Sequence, residues 1–349
     1  MLSGCPCTKR AVCCGHRVIR LPEIWRDDAP GERRAALVEN GNIVEIHMQR
    51  DTLWALGETG TGRIDRKTPS GAYVIADDNS ELLLRSRISD PEGMRVTFEV
   101  TREAIAEPGR VKPAEIALRD SGVLPSLEKD ALWDARLTAF AQPVISASIA
   151  DGFDIALSGQ SQLGSVIISF QRTKAGLVFD VDGIGSAFDI NQVAAAEIAR
   201  LLRLYQVGAM VMIDFVSMEA KAQRTQIAEI FDAASVVDGR PFERTAINGY
   251  GLMQVVRARP RPSVLDHLFG THIAALSDET KAYWLLRAVA QSSGFGARTV
   301  TTRPEVATLL QSDGWATGRV QAVRLAGADM QVVADEKATG YGHVHVAQS

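Results

Sequence analysis

No cysteine follows Cys14, so the chain from Gly15 to Ser349 can hold neither a disulfide framework nor a thiolate metal site. Such a body suits a reducing compartment, and the expected location is cytoplasmic. No uninterrupted apolar stretch approaches the roughly 18 residues of a membrane-spanning helix. The N-terminus, MLSGCPCTKRAVCCGH, lacks the long apolar core of a secretory signal. Excess basic charge is missing too. A net charge of −4 and a pI of about 5.9 exclude a bulk polycation, so any nucleic-acid site must be a local basic patch on an acidic body.

What is present is an ordinary globular balance, 46% hydrophobic and 23% charged over 349 residues. At roughly 100–200 residues per domain, this length predicts two or three domains. Cys5, Cys7, Cys13 and Cys14, with His16, lie in a segment 1–33 read as a tail, disordered at 1–17 or preceding the true start codon. A zinc site there is the alternative, although CxC followed by CC is not a standard finger spacing.

Residues 34–48, RRAALVENGNIVEIH, predict a hairpin, because two alternating apolar runs flank the tight-turn pair Asn40-Gly41. Short β-patterned runs continue to Leu118 at intervals of some ten residues, which suits a small antiparallel barrel. Residues 34–118 therefore form one expected unit. A connecting segment, 119–164, contains a helix from Glu128 to Ala141. From 165 to 263 strands alternate with amphipathic helices, the mark of a layered α/β domain. A linker, 264–275, leads to an α+β unit at 276–349, with helices at 279–291 and 304–312. Its strands are expected at 298–302, 320–326, 330–335 and 343–347.

Two central strands carry carboxylates where the apolar run stops. Asp180 and Asp182, at i and i+2 in FDVD, share a strand face. Asp214 ends the next strand, AMVMID, and the intervening helix places the two strands side by side and parallel. Converging carboxylates with open water positions suit Mg²⁺; an aspartate at a strand end also caps the following turn, and both readings stay open for the pair. Arg257, Arg259 and Arg261 alternate in VVRARPRPS at about the phosphate repeat of a nucleic-acid strand. The same pattern also protects a sheet edge. Trp54, Tyr73, Arg85, Arg87 and Lys112 give the barrel stacking and basic residues, while Trp54 and Tyr73 equally suit its core. His267, His272, His343 and His345 have no partner cluster in the sequence.

The stretches FDVDG, FDINQVAAAEIARLLRLYQVGAMVMIDFVSM and INGYGLMQVVRARPRPSV resemble the ribonuclease E/G family over about 165–263. The resemblance implies an α/β multidomain chain: an S1-type OB-fold barrel, a central layered DNase I-like catalytic domain and a small C-terminal α+β domain. It assigns Asp180 and Asp214 to the catalytic Mg²⁺ and Asp182 to a supporting place. Asp189 and Asn191 form a similar Asp-x-Asn, but Asp180 aligns Phe188 with the family's Ala-rich helix without a gap. Tyr73 matches an aromatic that stacks RNA. Four features depart from the family. The insert after the first aspartate shrinks to Gly183–Ala187, and no 5′-sensing segment lies between Lys112 and Gly164. VLDHLFGTH replaces the Cys-Pro-x-Cys zinc link after Ser263, and Asn248-Gly249 replaces Ser-Arg.

These readings predict a Mg²⁺-dependent endoribonuclease acting on single-stranded RNA, with Asp180, Asp182 and Asp214 catalytic. Trp54, Tyr73, Lys112, Arg257, Arg259 and Arg261 would bind the RNA, and any homo-oligomer would form without a zinc link. The alternative is an RNA-binding protein on the same scaffold with weak or no cleavage.

Overall fold

The computed structural model describes residues 11–14, 17–20, 22–119, 129–138, 140 and 143–347. The expectations for a disordered 1–17 and for a thiol site at Cys5, Cys7, Cys13, Cys14 and His16 lie outside the described residues. The exception is the backbone of two short antiparallel strands, β1 (Ala11–Cys14) and β2 (Arg17–Arg20). Next come β3 (Glu23–Arg26), β4 (Glu32–Glu39) and β5 (Asn42–Arg50). The β4–β5 hairpin forms as its sequence predicts. Asn40 and Gly41 take φ of 52° and 84°, as a tight turn matched to the twist of its strands requires.

A closed five-stranded barrel follows, built from β6 (Thr59–Thr68), β7 (Gly71–Ala76), β8 (Glu81–Leu84), β9 (Arg95–Arg102) and β12 (Ala114–Arg119). Its ring order is β12-β8-β7-β6-β9, with β8 and β12 parallel, consistent with an OB-like barrel. Ile64, Val74, Leu82, Leu84, Phe98 and Ile116 alternate inward to fill it. At Gly71 a Cβ would lie 1.9 Å from the Leu84 carbonyl oxygen, so only glycine lets the strands close there. Between β9 and β12 a small hairpin, β10 (Ile105–Glu107) and β11 (Arg110–Lys112), projects from the barrel.

The chain then returns through α1 (Lys129–Thr138) to β13 (Val144–Ser146), which pairs parallel with β3 and completes the sheet β13-β3-β4-β5. The barrel is thus an insertion into this sheet, and the hairpin belongs to the sheet rather than to the barrel. The reason is burial on both faces of the hairpin. Ala36, Val38, Ile46 and Met48 join the central core, while Ala35, Leu37 and Ile24 pack on Trp133 and Leu137 of α1.

The central domain runs α2 (Asp154–Ser158), β14 (Gln160–Leu163), β15 (Val166–Arg172), β16 (Leu177–Gly183), α3 (Ala187–Leu204), β17 (Ala209–Asp214), α4 (Lys221–Val236), β18 (Phe242–Arg244) and β19 (Leu252–Arg257). Its six strands lie in the order β14-β15-β16-β17-β19-β18, with β16 and β17 parallel. Phe179, Val181, Val211, Ile213, Met253 and Val255 pack one face against Ala194, Ile198, Leu201 and Leu202 of α3 and Ile227 and Phe231 of α4. The other face carries Asp180, Asp182, Met210, Asp214, Leu252, Gln254 and Val256 in solvent.

After α5 (Val264–Phe269) come α6 (Asp278–Gln291), β20 (Arg298–Thr302), α7 (Pro304–Gln311), α8 (Ala316–Ala326), β21 (Met330–Ala334) and β22 (His343–Val346). A three-stranded sheet, β21-β20-β22, shares a core with α6, α7 and α8 around Tyr283, Leu286, Val300 and Leu310. The strand expected at 320–326 is helix α8. Gly318, Ala322 and Ala326, four apart, give it a small-residue stripe; Gly318 and Ala322 are buried, and Ala326 packs against this core. Arg50 ties the four-stranded sheet to this region. It donates to Glu32 at 2.8 Å, to the His267 carbonyl at 2.9 Å and to Thr280 Oγ1 at 2.9 Å.

Candidate active site

The sheet register puts Asp180 of β16 directly beside Asp214 of β17. In a parallel pair, neighbours in register point to the same face with backbones about 4.8 Å apart. Both side chains lie on the solvent face, and among the described residues neither has a salt-bridge or hydrogen-bond partner. Asp182, two residues on, shares that face, and its Oδ1 accepts from the Gly183 N–H at 2.7 Å. Like charges left side by side without a compensating cation disfavour each other, which is the arrangement a bound cation relieves. No group of three or more His, Cys, Asp or Glu side chains closes a metal cage among the described residues. The donor set is two bare carboxylates with open positions around them. That fits Mg²⁺, which keeps several waters, better than Zn²⁺.

Two asparagines hold this geometry. Asn191, fully buried on α3, donates to the Val216 carbonyl at 2.7 Å and accepts from the Val216 N–H at 3.0 Å, fixing the chain just past Asp214. Asn248 Oδ1 accepts from the N–H groups of Tyr250 and Leu252 at 2.9 and 3.1 Å, and Leu252 pairs with Asp214. Asp189 serves elsewhere. Its N–H and its carboxylate both bond the hydroxyl of Ser186, the residue that caps α3. The Asp-x-Asn at 189–191 is therefore helix cap and bracket, and Asp180 keeps the place beside Asp214. No local signal marks Asn191, whose partner lies 25 residues on, whereas Asn248 bonds N–H groups two and four residues ahead, as asparagine does in a turn.

The arginines fall differently from the sequence pattern. Inward positions on β19 are Met253, Val255 and Arg257, so Arg257 lies on the face opposite Asp214. It is 6% exposed, is salt-bridged to Asp238, and burial lowers its pKa to about 10. A phosphate cannot reach it there. Arg259 lies past the strand end and is held by Glu107 at 2.8 Å and Asp266 at 2.7 Å. Arg261 reaches Glu103 at 3.3 Å. Arg259 and Arg261 therefore pin the barrel's projecting segment to the central domain instead of forming one basic face with Arg257. Glu103, Glu107, Asp238 and Asp266 were invisible as partners because each is distant in sequence or on another element.

Lys112 bonds the same Glu107 at 2.6 Å. With Arg110, Arg172, Lys174 and Arg259 it lines a cavity of about 170 Å³ at the amino ends of β16 and β17, the end away from Asp214. Trp54 packs edge-on against Phe98 with ring centroids 5.2 Å apart, a half-buried plug on the barrel core. Tyr73 lies on the outer face of β7, half-buried, with the Arg66 guanidinium 3.9 Å above its ring. Arg85 pairs with Glu115 and Arg87 donates to the Pro69 carbonyl, both beside a shallow hollow at Ile116–Leu118. His267 is buried, and that burial lowers its pKa to about 3, so it stays neutral. His343 and His345 stand exposed on β22.

Residues 156–260 match the model of the ribonuclease E/G family. A ribonuclease E/G-like chloroplastic protein of Arabidopsis thaliana is 30% identical over 112 residues, 29% of this chain and 11% of that protein. Ribonuclease E of Escherichia coli strain K12 is 26% identical over 167 residues, 48% of this chain and 15% of that one. Ribonuclease E of a Nostoc species is 32% identical over 77 residues, 22% of this chain and 11% of its own. The matches thus span less than a sixth of these relatives' lengths. Among the described residues, no helix is long and apolar enough to cross a membrane.

Proposed function

We propose that this chain, whose central domain belongs to the ribonuclease E/G family, is a Mg²⁺-dependent endoribonuclease that cleaves single-stranded RNA. The observation that carries the reading is the Asp180–Asp214 pair, in register on neighbouring parallel strands and without a cation partner among the described residues. Those two carboxylates would hold the ion. When bound, Mg²⁺ activates water and stabilises the charge that develops on the phosphodiester. Asp182, tethered through Oδ1, keeps its second oxygen to orient that water. The barrel serves as the S1-type RNA clamp. Tyr73 and Leu83, cross-strand neighbours on β7 and β8, form the face that such folds use for oligonucleotides. In this reading the central domain is DNase I-like in its layering, residues 276–349 form its small C-terminal domain, and the enzyme acts in the cytoplasm.

A fluorescent single-stranded RNA incubated with the protein in Mg²⁺ and in EDTA tests this, with binding followed in parallel by anisotropy. Cleavage in Mg²⁺ alone, with binding in both, is the expected result. Binding without cleavage under either condition would favour the RNA-binding scaffold instead.

A further inference from the structure

The loop between β18 and β19 is fastened around Asn248, Tyr250 and Gly251. Besides the two bonds from Asn248 Oδ1, the Asn248 N–H reaches the Leu252 carbonyl at 3.0 Å, and the Gly251 N–H reaches the Asn248 carbonyl at 3.2 Å. The Gly251 carbonyl accepts from Phe215 N–H at 3.1 Å, and the Tyr250 carbonyl accepts from Ser217 Oγ at 3.2 Å. Gly251 has φ +95°, and a Cβ there would lie 2.1 Å from the Phe215 carbonyl oxygen. The loop is thus pressed onto the residue that follows Asp214. On this rigid support the Tyr250 side chain is left in water, 81% exposed, with no ring or hydroxyl partner among the described residues.

We propose that Tyr250 is a substrate-binding residue that stacks the base of the nucleotide beside the scissile phosphate. The inference rests on the endoribonuclease reading and names the side chain that places the substrate on that site. Tyr250 precedes by two residues the position paired with Asp214, so a phosphate at the carboxylates brings its flanking base to the ring. A tyrosine ring on a fixed backbone offers a flat apolar face with little conformational freedom to lose, and stacking accepts any base. On the other flank of the carboxylates Ile184 is 86% exposed, anchored by Ser165 through bonds at 3.2 and 3.0 Å. It gives the nucleotide a second apolar edge but no stacking face.

The test is cleavage of a short single-stranded RNA by the full chain and its Tyr250→Ala and Tyr250→Phe variants. The same RNA is used with an abasic residue on either side of the cut, and RNA binding in EDTA is measured alongside. Tyr250→Ala should lower kcat/KM by roughly 5- to 150-fold, the range set by base–aromatic stacking of 1–3 kcal/mol. Tyr250→Phe should keep most of it. One abasic position should cost the unaltered protein a similar factor and cost Tyr250→Ala little more, a coupling that a purely structural role would not produce. Phe295→Ala, which removes a 100% exposed ring far along the chain, should change nothing. Full activity of Tyr250→Ala on both RNAs, with Asp180→Asn inactive, overturns the stacking role and leaves the endoribonuclease reading standing. If the unaltered chain binds RNA without cutting it, equal affinity of Tyr250→Ala overturns the role, and weaker affinity supports it. Neither binding nor cleavage overturns both readings together.

Discussion

Replacing Arg257 by methionine separates the two roles that its position in the sequence allows. In the structure it is the last inward residue of β19, 6% exposed, and its cation neutralises Asp238. Burial pulls its pKa down to about 10, which still leaves it charged at neutral pH. Removing it strands the Asp238 carboxylate, whose side chain is 8% exposed. Breaking one partner of such a pair costs about 3–5 kcal/mol, whereas replacing both by apolar residues of similar volume is often neutral. Urea unfolding should therefore show a large loss for Arg257→Met and most of it restored in Arg257→Met/Asp238→Leu. RNA affinity of the folded variants should keep its salt dependence. A phosphate contact behaves in the opposite way, since losing one lowers the slope of log affinity against log salt by about 0.7 for a single strand. An unchanged urea midpoint with that drop in slope would refute the buried-pair reasoning.

Three further outcomes follow from the same geometry. His47 is buried between Glu45 at 3.1 Å and Arg136 at 2.8 Å, and burial lowers its pKa to about 4. Its folded pKa lies below the unfolded 6.5, so its contribution is complete above pH 6.5 and is lost as pH falls toward 4, about 2 kcal/mol by pH 5. Urea midpoints at pH 7 and 5 should differ less for His47→Gln than for the unaltered chain; equal differences contradict this. Asn191→Ala removes both bonds to Val216 and should cost about 1–3 kcal/mol while lowering cleavage, and a fully active, equally stable variant would count against the bracket. Finally, 5′-hydroxyl and 5′-monophosphate forms of one RNA should be cut within about threefold of each other, under 1 kcal/mol; a tenfold monophosphate preference would reveal a sensing pocket.

The carboxylate pair was legible because its cues are local. Two apolar runs each stop at an aspartate, and the helix between them is long enough for one parallel crossover. The β pattern also placed β7, β8 and β9 of the barrel, and the Asn40-Gly41 pair placed its turn; the pattern missed β6, where TGTGRIDRKT is rich in glycine and charge. What the sequence concealed depends on partners far along the chain. Arg257, Arg259 and Arg261 look like one basic face until Asp238, Glu107, Asp266 and Glu103 claim them. The β4–β5 hairpin looks continuous with the barrel until β13, more than a hundred residues later, pairs with β3. The segment VQAVRLA suggests a strand only by its valine content, and the small-residue stripe of Gly318, Ala322 and Ala326 emerges when the residues before it are included.

The central claim is that Asp180 and Asp214 together hold the ion that cleaves RNA, and one comparison tests it most directly. Asp180→Asn, Asp214→Asn and Asp189→Asn are assayed side by side under saturating Mg²⁺ on the same single-stranded RNA, with binding and unfolding measured for each. The account predicts near-complete loss of cleavage for the first two, with RNA affinity and stability largely kept, and a small effect for the helix-cap residue Asp189. Equal loss at Asp189, or unimpaired cleavage at Asp180 or Asp214, would contradict it.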